Sequence, residues 1–179
     1  ALILSSIVAG IGVGPVVGKP DTYAVTQGDQ CWEIAPIGDG SQTVSSFYDY
    51  RAGPETRYSS YGTTELQESQ LSQVFVYRGS DGDSLVVLHD RINDDDRGGA
   101  ATFTFSGLPS GGTWAVEDDQ YASRDDRFQH SGSTSTIDWM WSPNRTDGAA
   151  FRGLDSSSYD AITVDPAFSE ESWAAQGRD

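Results

Sequence analysis

Between residues 22 and 165 apolar side chains recur at every second position in short runs. That is the spacing of strands that bury one face. The runs at 73–77 and 85–88 flank Ser80-Asp81-Gly82-Asp83, where Asp-Gly supplies the positive φ of a tight turn, so a hairpin is predicted. A second hairpin is predicted from 102–105 and 113–116 around Pro109-Ser110-Gly111-Gly112, with Phe103 and Phe105 on one face and Trp114 and Val116 on one face. A third joins 136–141 to 149–151 through Asp147-Gly148, with Ile137, Trp139 and Trp141 pointing one way and Asp138 and Met140 the other. Further strands are expected at 23–26, 32–34 and 159–164.

Strands this short, with turns every 8 to 12 residues, predict an all-β antiparallel sandwich, Ig-like or jelly-roll-like, with a small barrel as the alternative. One internal helix is expected over 64–71, where Thr64 and Gln67 fit a capping box. A terminal helix is expected over 165–173, with Asp165 at the N-cap and Pro166 in the first turn. No fixed period marks a repeat array. The length suits a single domain, taken as residues 21–179.

Residues 1–18 carry no charge and open on Ala-Leu-Ile-Leu-Ser-Ser-Ile-Val-Ala, followed by Gly10, Gly12, Gly14 and Pro15. The pattern resembles the apolar part of a secretory signal, so residues 1–20 are set apart from the fold. An N-terminal membrane anchor and a strand donated to a neighbouring subunit rank behind it. Asn144-Arg145-Thr146 is an N-glycosylation sequon, consistent with export.

Charge narrows the functional classes. Twenty residues are aspartate, Lys19 is the single lysine, and the formal net charge is −16. Nucleic acid and anionic membranes are excluded as partners, because phosphate binding needs a basic face and no Lys/Arg cluster exists. A chain this acidic repels itself until salt shortens the Debye length to roughly 3 Å at 1 M. Concentrated salt is therefore the expected solvent. Cys31 has no partner for an internal disulfide and, beside Trp32 and Ile34, reads as a buried thiol.

Acid pairs fall at strand ends, where oxygen-rich loops hold Ca²⁺ in many extracellular modules. Asp118, Asp119, Asp125 and Asp126 are the candidate ligands, with Ca²⁺ the candidate cofactor; the ordinary reading of such runs is a solvated acidic surface. EF-hand spacing is absent. Trp139 and Trp141, with Tyr121 and Phe128, are candidates for a sugar-binding platform, weighed against a plain core role for a strand face so apolar. For catalysis, His89 followed by Asp90 offers a base, and Glu117 with Asp138 offers a carboxylate pair of glycosidase type. No nucleophile elbow, metal-binding His pair or phosphate loop is present. Arg145-Thr146-Asp147-Gly148 reads as turn chemistry.

The run from Gly98-Gly99-Ala100-Ala101-Thr102-Phe103-Thr104-Phe105 through Trp114-Ala115-Val116-Glu117-Asp118-Asp119 resembles exported proteins of halophilic archaea. So does Asp138-Trp139-Met140-Trp141 with Arg145-Thr146-Asp147-Gly148-Ala149-Ala150-Phe151. The resemblance implies export and a saline habitat and carries no reaction. The sequence thus leads to the expectation of a secreted or cell-surface binding or structural module, its partner a glycan or a cell-surface protein. A secreted carboxylate-dependent hydrolase is the alternative.

Overall fold

The computed structural model describes residues 6–8, 19–94, 97–119, 126–155 and 159–168. Its strands in chain order are β1 (Ser6–Val8), β2 (Tyr23–Gln27), β3 (Gln30–Ile34), β4 (Tyr50–Arg51), β5 (Ser59–Ser60), β6 (Ser72–Gly79), β7 (Gly82–His89), β8 (Gly99–Ser106), β9 (Thr113–Glu117), β10 (Arg127–Ser131), β11 (Thr134–Trp141), β12 (Asp147–Arg152) and β13 (Ala161–Phe168). Among the described residues one short helix, α1 (Val44–Tyr48), precedes β4. The fold is the expected antiparallel sandwich. A seven-stranded sheet, β10-β11-β8-β13-β1-β2-β3, packs on a four-stranded one, β6-β7-β12-β9, and β4-β5 form a separate ribbon.

The main core lies between the sheets. Phe103, Phe105, Ile137 and Trp139 project from the larger sheet onto Leu85, Val87, Ala149 and Phe151 of the smaller. Every residue of β7 is buried, which a strand covered on one face only would not show. The second cover is α1: Val44 and Tyr48 sit with Tyr77, Val86, Leu88 and Ala150 in a smaller core on the outer face. Thr43 caps this helix by accepting from the Ser46 backbone N–H.

Several expectations change. β6 and β7 form the predicted hairpin, closed at the Gly79–Gly82 pair. The other two predicted hairpins are crossovers instead: β8 pairs with β11 and β13, whereas β9 pairs with β12 in the opposite sheet. β11 and β12 likewise lie in different sheets. On β9 the register slips between Ala150 and Phe151, so Ala115 bulges. Trp114 therefore packs toward the main core and Val116 toward the helix-side core, not on one shared face.

The helix expected over 64–71 is a series of turns. The expected terminal helix is pre-empted by β13, which runs through Pro166; residues 169–179 lie outside the described residues. Cys31 is exposed, because β3 is the sheet edge. Part of the segment set aside as a leader contributes β1, which pairs with Ala161 and Ile162 on one side and residues 24–26 on the other. Among the described residues no helix is long and apolar enough to cross a membrane.

Candidate functional site

β9 and β10 are the edge strands of their sheets, and the sandwich opens between them. The mouth is a cleft of about 270 Å³ lined by Leu108, Trp114, Glu117, His130, Ser135 and Phe151 among others. Its position follows from topology: among the described residues no further strand pairs beyond β9 or β10.

Three polar side chains form one hydrogen-bonded chain there. Ser135 Oγ lies 2.8 Å from His130 Nδ1, and His130 Nε2 lies 2.8 Å from Glu117 Oε1. Trp114 Nε1, which can only donate, reaches Ser135 Oγ at 2.9 Å. Ser135 Oγ thus accepts from the indole, and the imidazole bridges it to the glutamate through its two ring nitrogens. Trp114 stacks on His130 at 5.7 Å between ring centres, with Phe105 and Phe151 edge-on to the indole. The imidazole thus presents an exposed ring on an aromatic base, beside an acceptor carboxylate.

A second constellation is buried beside the first. β9 ends at Glu117, and the next two residues, Asp118 and Asp119, turn inward. Tyr48 Oη donates to Asp118 Oδ2 at 2.6 Å, and Tyr50 Oη donates to Asp119 Oδ1 at 2.6 Å. Asp126 and Asp147 join them; Asp126 Oδ1 accepts from the Met140 N–H at 3.0 Å and Asp147 Oδ1 from the Gly148 N–H at 2.7 Å. Asp126 and Asp147 are each 1% exposed, and the Oδ2 atom of each has no hydrogen-bond donor.

Burial raises the pKa of Asp118, Asp126 and Asp147 well above the carboxylate range. Mutual repulsion adds to the rise: Asp147 acts on Asp118, and Asp126 acts on Asp147. Burial, then the adjoining Asp118, likewise pushes the Tyr48 phenol up.

The anticipated metal ligands Asp118, Asp119 and Asp126 are thus brought together, while Asp125 lies outside the described residues. Among the described residues no three His, Cys, Asp or Glu side chains are placed to hold one metal ion. The acids are interior, not a solvated rim.

Of the aromatic platform, Trp139 is wholly buried, donating from Nε1 to the Gly148 carbonyl, and offers no face to a sugar. Trp141 is half-buried, stacked on His89 and donating to Asp90 Oδ2 at 2.7 Å. Phe128 is half-buried against Trp139. Tyr121 lies outside the described residues.

His89, the candidate base, is fully buried, with Nδ1 2.6 Å from Ser72 Oγ. No substrate reaches it. Glu117 and Asp138 do not form a pair across a cleft: Glu117 meets His130 on the inner side of β10, while Asp138 points to the opposite face of β11 and accepts from Thr102. Asn144 is half-exposed in the β11–β12 connection, and the sequon's Thr146 hydroxyl is buried, accepting from the Ser60 N–H.

Sequence reasoning did not single out Ser135 or Tyr48 and took Asp147 for a turn residue. Asp147-Gly148 in fact opens β12. The chain matches no family model, no curated protein and no solved structure.

Proposed function

We propose that the chain is a secreted or cell-surface binding module of a salt-adapted organism, and that its ligand is a neutral, hydroxyl-rich group such as a sugar ring of a surface glycan. The observation that carries this reading is the cleft, where Trp114, His130, Glu117 and Ser135 set an aromatic surface beside hydrogen-bonding groups. Sugar recognition asks for that combination of apolar ring faces and converging polar groups. A cleft of about 270 Å³ suits one ring-sized group, below the usual range for drug-sized ligands. The net charge of −16 disfavours polyanions.

One observation favours a second reading, that of an acyl-transferring hydrolase. Ser135, His130 and Glu117 stand in the order nucleophile, base, orienting acid. This route uses a serine instead of the carboxylate pair expected from sequence.

A single experiment separates the two. In concentrated NaCl, neutral oligosaccharides are titrated while the indole N–H of Trp114 and the imidazole of His130 are followed by NMR. In parallel, the protein is treated with a fluorophosphonate. Ligand-induced shifts that H130A and E117Q abolish, with Ser135 unlabelled, support the module. Covalent labelling at Ser135 that H130A abolishes supports the hydrolase. Shifts confined to other surfaces, with no label, refute the cleft assignment.

A further inference from the structure

The four-stranded sheet ends in β9 on one side, where the Trp114 cleft opens, and in β6 on the other. The β6–β7 hairpin closes at the Gly79–Gly82 pair. Odd-numbered residues of β6 therefore turn their main-chain groups to β7, and even-numbered residues turn theirs outward. Over the second half of β6 that outer side is occupied. Ile37 makes a parallel bridge there, donating to the Val76 carbonyl at 2.9 Å and accepting from the Arg78 N–H at 2.6 Å. Over the first half it is open: among the described residues the outward N–H and C=O groups of Ser72 and Val74 meet no backbone partner. Burial changes at the same point, from half-buried Ser72–Phe75 to buried Val76 and Tyr77.

Open sheet edges are ordinarily guarded by lysine, proline, a bulge or an inward charge. This one is not. Residues 69–77 hold no charged side chain and no proline, although the chain has 27 acids, and the β6–β7 register runs without a slip. A groove of about 530 Å³ follows the open half instead, with Leu66, Leu71, Val74 and Phe75 as its apolar wall and the exposed Glu65 and Glu68 beside them. Both strand faces contribute to it, Gln73 and Phe75 from one and Ser72 and Val74 from the other, so the space lies along the edge itself.

We propose that this edge takes up an extended segment of a partner protein in which apolar and basic residues alternate, added to β6 on the side that Ile37 already bridges. Main-chain bonds to Ser72 and Val74 hold the segment, its apolar side chains enter the groove, and its cations meet Glu65 and Glu68. Charge selects the occupant. A second copy pairing β6 to β6 would set the same glutamates and another formal charge of −16 against this one, whereas a basic strand neutralises them. At 1 M salt the Debye length is about 3 Å, so direct carboxylate–ammonium contact is the part of that selection that persists. The surface is separate from the cleft, and glycan binding at His130 neither requires it nor follows from it.

In concentrated NaCl, a blocked peptide of about six residues alternating lysine and valine, long enough to span the open half of β6, is titrated while the Val74 amide is followed by NMR and hydrogen exchange. Its fully N-methylated counterpart, a version with serine for lysine, and the E65Q/E68Q double variant, altered only at exposed side chains, serve as comparisons. Expected is saturable binding that slows Val74 exchange about tenfold or more, with about tenfold lower affinity for the N-methylated peptide. E65Q/E68Q should weaken the lysine peptide by about two- to fivefold and leave the serine peptide unchanged. No binding, equal binding of the N-methylated peptide, or equal binding of the serine peptide to the wild type overturns the proposal. So does a Val74 amide already slow to exchange in the peptide-free protein: slowing that grows with protein concentration assigns the edge to a second copy, and slowing independent of concentration assigns it to a segment of the same chain.

Discussion

His89 sits among Phe103, Trp139 and Trp141, stacked on the last at 4.8 Å between ring centres. Its Nδ1 meets Ser72, its Nε2 meets nothing, and burial takes its pKa down to about 3. The unfolded chain takes up a proton near pH 6.5 that the native chain refuses, so His89 removes stability as pH falls from there toward 3. The limiting slope is about 1.4 kcal/mol per pH unit. His89→Gln should flatten that acid limb, and the His89 ring resonances should not titrate above pH 4. Native-state protonation of His89 at pH 6 in an NMR titration would contradict this. The same residue shows what a sequence conceals: His89-Asp90 at a strand end has the composition of a catalytic base, and only tertiary packing makes it a core ring.

At the scale of elements, alternation located the strands and left their partners open. β6 and β7 were legible as a hairpin because the turn joins neighbours in one sheet. β8–β9 and β11–β12 carry equal turn chemistry yet cross between sheets, with β8 pairing instead to strands about 30 to 60 residues on. The Ala115 bulge was invisible for a related reason, since it answers to β12 and to the helix-side core. So was α1, whose sequence VSSFY is poor in strong helix formers and is held by burying Val44 and Tyr48. β13 carries Pro166 opposite Phe103 in its antiparallel pairing with β8. The site suffered most from these limits: the Asp118-Asp119 and Asp126 acids were legible as a cluster, while Asp147 and Ser135 arrive from strands whose pairing had to be seen.

One glycine fixes how β8 leaves its partner. Gly107 has φ 77°, and a Cβ there would stand 2.1 Å from the Ala161 carbonyl oxygen at the start of β13. Gly107→Ala should destabilise by about 1 to 3 kcal/mol through backbone strain and displacement of β13. Urea unfolding within a few tenths of a kcal/mol of wild type would show that the β8–β13 crossing is looser than this.

Over the whole molecule, the acids divide into two populations with different chemistry. Asp118, Asp126 and Asp147 are interior and, through burial, hold protons more tightly than ordinary aspartates. Asp83 is interior too, but ionic: Arg78 grips both of its oxygens and Tyr23 donates to it. The exposed acids form the outer field, and self-repulsion among them is long-ranged at low salt and screened within about 3 Å at 1 M. From this field we predict that the cooperative urea transition weakens and then disappears as NaCl is lowered below about 1 M, where screening fades. Potassium chloride should serve as well as sodium chloride at equal ionic strength, because screening reads charge and not identity. A cooperative transition of unchanged midpoint at about 0.1 M salt would refute the screening account, because the Debye length there, about 10 Å, leaves neighbouring surface charges in full view of one another.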